Sequence, residues 1–148
     1  KYKPSQILVE ITQEDIEKRN LDSYPPEMIF TYKWAKKNNI PVYGFDSSIN
    51  VLRKGMTEKD NKKVIEEQKE IMKKFTWKDM NKAEKFKLIN TKSARKLVDA
   101  KKNKKRESEL IENIKKNMAA TGTILIITGC GHLDFFEKHL KGAEFPLR

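Results

Sequence analysis

Three apolar runs in this chain each end on residues able to do chemistry. Glu10 lies at the end of Gln6–Ile11, Asp46 follows Ile40–Phe45, and Gly129-Cys130-Gly131-His132 follows Thr123–Thr128. Carboxylates and imidazoles can bind a metal, move a proton or orient a ligand. In the Gly-Cys-Gly-His turn the glycines let the backbone turn tightly and let another group come close. A helix starting just after it presents free N–H groups suited to an anion. His132 stands at that mouth, as a metal ligand or, without metal, as a general base. Glu10 is the carboxylate that activates water or completes the coordination, and Arg106 can hold an anionic substrate or intermediate.

Each of these residues also has a plain structural reading. Glu10 can pair with a lysine at the sheet edge, since ion pairs also occur as structure. Asp46 has the turn preference of aspartate. Arg106 can belong to the lysine-rich surface, and His132 can bond nearby backbone. Cys130, an isolated cysteine, reads as a small buried hydrophobe, and His139 reads as surface.

The elements that must position these groups follow from the apolar patterning. Gln6–Ile11, with its β-branched residues, reads as a buried strand. Ser23–Asn39 reads as a helix, opened by Pro25 and Pro26 and closed by Asn38-Asn39. Ile40–Phe45 is the second strand, so the first half is a βαβ unit with parallel strands and a right-handed crossover. Thr57 with Asp60 resembles a capping box, and Thr76 with Asp79 repeats it. The helix after Thr57 carries Val64, Gln68, Ile71, Met72 and Phe75 on one side, and a second, less regular one carries Trp77, Met80, Phe86, Leu88 and Ile89. Ser93–Ala100 gives a third, and residues 57–105 read as a lysine-rich helical insertion. Arg106–Met118 is a helix with Leu110, Ile111, Ile114 and Met118 in register. Thr123–Thr128, continuously apolar, reads as a central strand, and a helix from Asp134 to Leu140 follows. The aromatics Trp34, Trp77, Phe86, Phe135 and Phe136 fall at helical spacing and read as core.

The expected fold class is therefore α/β, a mainly parallel central sheet flanked by helices, formed by residues 1–148 as a single, incomplete domain. Open parallel sheets place their sites at the carboxyl ends of the strands, where Glu10, Asp46 and His132 converge.

Bulk properties set the outer bounds. Hydrophobic residues make up 37% of the chain and charged residues 36%, and the net charge is +11. The positive charge is interleaved with glutamate along helices, which marks solvated faces. No run approaches the ~20 apolar residues of a membrane helix. One cysteine excludes an internal disulfide and fits a reducing, cytoplasmic setting.

Several segments resemble one family. Lys3-Pro4-Ser5-Gln6-Ile7-Leu8-Val9-Glu10 is similar to the Lys-Pro-Asp-x-Val-x-Val-Glu segment of the TraB/PrgY proteins. Phe45-Asp46 with Ile49-Asn50-Val51-Leu52-Arg53 resembles their Gly-Asp-Arg stretch and the Thr-Leu-Arg helix after it. Arg106-Glu107 resembles their Glu-Arg-Asp motif, and Thr128-Gly129-Cys130-Gly131-His132-Leu133 their Gly-Ala-Gly-His strand end. That family belongs with the GumN, Tiki, ChaN and erythromycin-esterase proteins, whose shared pattern has two Gly-x-x-His motifs and a strand-end glutamate. The resemblance matches Glu10 to that glutamate, and Gly129 with His132 to the second Gly-x-x-His. The first Gly-x-x-His is absent; in relatives it precedes the Lys-Pro segment by one strand and one helix. Ser47 stands where the family has an arginine. The resemblance implies a Tiki-like fold in which Asp46, Arg53, Gly129 and Gly131 line a substrate site and Glu10 and His132 hold a divalent metal. Members include metal-dependent proteases, a macrolide esterase branch, a haem binder and regulators of peptide pheromone signalling, so fold does not settle activity.

Three functions follow as expectations. The first is a metal-assisted hydrolase acting on a small molecule or peptide. The second is a non-catalytic ligand-binding or regulatory module, favoured by the missing first motif and by Ser47. The third, nucleic-acid binding, follows from net charge and ranks last, because no aromatic–basic interleaving or nucleic-acid motif is apparent. An open sheet edge also invites a partner strand or self-association.

Overall fold

In a computed structural model the described residues are 3–55, 57–76, 78–79 and 82–145. Trp77 and Met80 lie outside them, and the side chain of Phe86 is not described. The element order is β1 (Gln6–Val9), α1 (Gln13–Lys18), α2 (Pro26–Lys37), β2 (Val42–Gly44), α3 (Glu58–Met72), α4 (Ala83–Ile89), α5 (Lys92–Leu97), α6 (Ala100–Asn117), β3 (Ile124–Ile127) and α7 (Leu133–His139). The protein is thus a mixed α/β fold with a small open parallel sheet of order β2-β1-β3. The chain divides into two compact units, residues 3–48 with 106–129, and residues 49–105 with 130–145.

The sheet forms the heart of the first unit. β1 is central, and all four of its residues are buried. It pairs in parallel with β2 (Ile7 opposite Val42) and with β3 (Leu8 opposite Ile126). β3 is therefore an edge strand, correcting its expected central position. Its four residues are only half-buried, and an apolar run reports two covered faces rather than two paired edges. The N–H groups of Ser5 and Glu10 donate to the carbonyls of Thr123 and Ile127. Since backbone groups alternate sides along a strand, those of Ile124 and Ile126 point away from β1.

On one sheet face Ile7, Val9, Ile11, Ile16, Leu21, Met28 and Ala35 form a buried cluster, and Leu125 and Ile127 pack against it. Each fully buried valine, leucine, isoleucine or methionine side chain among them stabilises the fold by about 1.5–3 kcal/mol. The alternate residues, Gln6 and Leu8, project to the opposite face. There Gln6, buried, binds the end of α6, its amide donating to the Asn117 carbonyl at 2.6 Å and accepting from Ala119 N–H at 2.8 Å. Leu110 and Ile114 of α6 are fully buried.

Two helices begin where the residue pattern does not announce them. α1 is short and polar, with only Ile16 buried; Thr12 caps it by accepting from Asp15 N–H. α6 starts at Ala100 rather than Arg106, because Asp99 accepts from the N–H groups of Lys101 and Lys102 and so satisfies its first turn. At the end of β2, a side chain on Gly44 would meet the Ile11 carbonyl oxygen at 2.4 Å, so the backbone crossing there admits only glycine.

The second unit is helical. The Thr57–Asp60 capping box of α3 forms in full. Val64 is buried beneath it, but Met72 is exposed, as is Leu88 of α4. Glu67 accepts from the hydroxyls of Thr91 and Ser93, joining α3 to the start of α5. In α7 Phe136 is buried and Phe135 half-buried. No helix among the described residues is long and apolar enough to cross a membrane.

Candidate functional site at the strand ends

Glu10, Asp46 and Arg106 meet in the first unit. Glu10 follows the last residue of β1, and Asp46 is carried two residues past β2, where its N–H donates to the Ile11 carbonyl. Arg106 reaches them from within α6. One nitrogen of its guanidinium, Nη2, donates to Glu10 Oε1 at 3.0 Å and to Asp46 Oδ1 at 2.6 Å. The three side chains are 11%, 15% and 15% exposed for Glu10, Asp46 and Arg106. The second oxygen of Glu10 accepts from the Thr128 hydroxyl at 2.6 Å and from the Gly129 N–H at 2.7 Å. Glu10 thus ties the end of β3 to α6 across the end of β1.

Burial pushes the Asp46 carboxyl above its ordinary value; the Arg106 charge and the Ser47 N–H pull the other way and are outweighed. For Arg106, burial opposes the charge, but the two carboxylates prevail and hold its guanidinium the more firmly protonated.

A polar stripe on α6 completes the arrangement. Arg106, Glu109, Asn113 and Asn117 recur every three or four residues and so share a helix face. Glu109 accepts from the hydroxyl of the buried Ser47. Asn113 donates to the carbonyl of Phe45 at 3.2 Å. Asn117 meets Gln6, as above. Of this stripe only Arg106 was singled out from sequence. Its signal was there to read: polar residues at helical spacing beside the buried Leu110 and Ile114. Ser47, noted only as a departure from the family arginine, is one of its partners.

Of the other expected site residues, Gly129 belongs to the first unit, and Arg53, Gly131 and His132 belong to the second. Arg53 is exposed and structural, its Nε donating to the Val98 carbonyl at 3.0 Å beside the Leu52–Val98 bridge. Cys130, Gly131 and His132 form a single 3-10 turn, and His132 is the residue from which α7 starts. The His132 ring lies 6.0 Å, centre to centre, from that of Phe136. His139 is exposed as expected, its Nδ1 2.8 Å from the Phe135 carbonyl. Gly129 is not demanded by space: a side chain there would lie in ordinary contact, 3.6 Å from Glu10 Oε2.

The residues present do not suit the divalent metal that the resemblance implies. Among the described residues no group of three or more His, Cys, Asp or Glu side chains could hold a metal ion. Both Glu10 oxygens already accept from donors, and a guanidinium stands where a second cation would have to sit. What the cluster can do is fix three chain segments at the carboxyl end of the sheet, around a net negative charge.

No protein-family model, curated protein or solved structure matches the chain.

Proposed function

We propose that the chain is a non-catalytic ligand-binding or regulatory module on a TraB-like frame, in preference to the metal-assisted hydrolase that the same resemblance implies. One observation carries this reading: Arg106 serves as the cation for both strand-end carboxylates through a single nitrogen. A metal drawing on Glu10 and Asp46 would face that fixed positive charge at close range, where like charges are costly. A proton-abstracting Glu10 would have to give up its bonds to Thr128 and Gly129. Ser47, occupied with Glu109, adds no catalytic group. The ligand is a small molecule or peptide taken at the carboxyl ends of the strands, where open parallel sheets bind. The single cysteine suits a reducing compartment.

Self-association through the edge of β3 fits this role. No Asp, Glu, Lys or Arg occurs between Lys116 and Asp134, so that edge lacks the charges that normally block strand addition. The β2 edge is short, and the outward N–H of Gly44 already donates to the Gln13 side chain.

Metal titration of the purified chain tests the proposal, with Glu10→Gln, His132→Ala and Arg106→Gln as variants. The expected result is no stoichiometric zinc, manganese or iron in the parent, and new affinity in Arg106→Gln, where the carboxylates lose their cation. Stoichiometric metal in the parent that disappears in both Glu10→Gln and His132→Ala would restore the hydrolase.

A further inference from the structure

The outward face of α2 carries a group of residues outside the strand-end cluster. Met28 and Ala35 are buried, and Ile29 and Tyr32 pack half-buried against the same core. That sets the inner face. Phe30, Lys33, Trp34 and Lys37 fall at i, i+3, i+4 and i+7, which places them together on the other side. All four are exposed, Phe30 at 69% and Trp34 at 40%. The expectation that Trp34 is core is thereby corrected, and so is the expectation that aromatic and basic residues do not interleave.

Scattered exposed hydrophobes need no explanation. These two are not scattered. Each aromatic is followed three residues later by a lysine, and the two rings stand one helical turn apart, about 6 Å along the axis. Among the described residues neither Lys33 nor Lys37 makes an ion pair. With Lys36 they form a positive stretch that meets no acidic residue between Glu27 and Asp46.

We propose that this face binds single-stranded nucleic acid, Phe30 and Trp34 stacking on successive bases while Lys33 and Lys37 meet the phosphates. A single strand offers both halves of the match at once: an anionic backbone, and π-faces that any aromatic can stack upon. A duplex hides its base faces. An acidic peptide answers the lysines and leaves the rings uncovered. An anionic bilayer demands a large apolar helix face, and two rings do not make one.

The test is titration with a labelled oligothymidylate of about 12 nucleotides, a length suited to single-strand sites. The Trp77→Phe form carries Trp34 as its sole tryptophan and reports stacking by fluorescence. Quenching on binding is expected. Phe30→Ala and Trp34→Ala should each weaken binding roughly tenfold or more, the usual worth of one stacked base. Lys33→Gln with Lys37→Gln should flatten the slope of log affinity against log salt by about 1.4, that of two phosphate contacts on a single strand. The lysine pair keeps the test decisive if an alanine variant fails to fold. A basic chain attracts any polyanion, so binding that survives loss of both rings overturns the proposal. So does the absence of salt-dependent binding, or ring-dependent binding to phosphatidylserine vesicles without binding to the oligonucleotide.

Discussion

At the strand ends, Arg106, Glu10 and Asp46 spend their charges on one another, and Thr128 and Gly129 take what Glu10 has left. On the outer face of α2, Phe30 and Trp34 stand in solvent beside two lysines that make no ion pair among the described residues. The first region has the residue types of an active site, committed to holding segments together. The second sets aromatics among lysines on one helix face and leaves its rings exposed. Residue type says what a group is able to do; its bonding partners decide whether it is available to do it. A carboxylate with three donors is part of the frame, and an exposed aromatic ring is part of the surface.

That contrast can be broken by substitution, and the largest effect belongs to Arg106. Replacing it with alanine leaves two mostly buried carboxylates without a cation, and about 3–5 kcal/mol of stability should go. Urea unfolding reads this directly; an unchanged midpoint would mean the cluster is not structural. Glu10→Gln keeps the shape and one acceptor while exchanging charged bonds for neutral ones, and should cost roughly 1–3 kcal/mol in the same assay.

Asp46 gives a subtler effect, with its sign fixed by burial. Its folded carboxyl lies above the ordinary 3.8, so the fold prefers the protonated form. Its favourable contribution is fully present below the unfolded value and is lost as pH rises through the folded one. Asp46→Asn, neutral throughout, should therefore gain stability relative to the parent as pH climbs from about 4 toward 7. Parallel stability–pH curves for the two proteins would contradict this. At the small end, Phe30→Ala and Trp34→Ala should shift stability by no more than about 0.5 kcal/mol, as exposed positions do. A fall of several kcal/mol would place those rings in a core and remove the contrast.

Much of the frame was legible from the residues. All three strands lie within a residue or two of the β-branched runs, the α2 and α3 helices are where their proline and capping signals point, and the strand-end rule led to Glu10 and Asp46. What failed has physical reasons. Hydrophobic periodicity cannot reveal α1, because one buried isoleucine makes no period. The lysines from Lys101 onward mask the true start of α6, although Asp99 supplies its cap, so the apolar pattern starts the helix six residues late, at Arg106. Spacing alone places Trp34 in the core, yet it sits next to Ala35, about 100° away around the helix, and that turn carries it outside. The bonds of Arg106 could not be read at all: they span 96 and 60 residues of chain.

The uncharged edge of β3 gives dissolved salt two opposite jobs. A net charge of +11 holds copies of the chain apart in dilute buffer. Raising ionic strength from about 0.1 M to about 1 M shrinks the reach of that repulsion from about 10 Å to about 3 Å. It does nothing to the outward amides of Ile124 and Ile126. If α2 takes a polyanion and β3 edges pair as proposed, the addition that weakens the first favours the second, and light scattering should rise over the range in which oligonucleotide binding falls. Ionic strength would then choose the company the molecule keeps, a polyanion when it is low and its own kind when it is high.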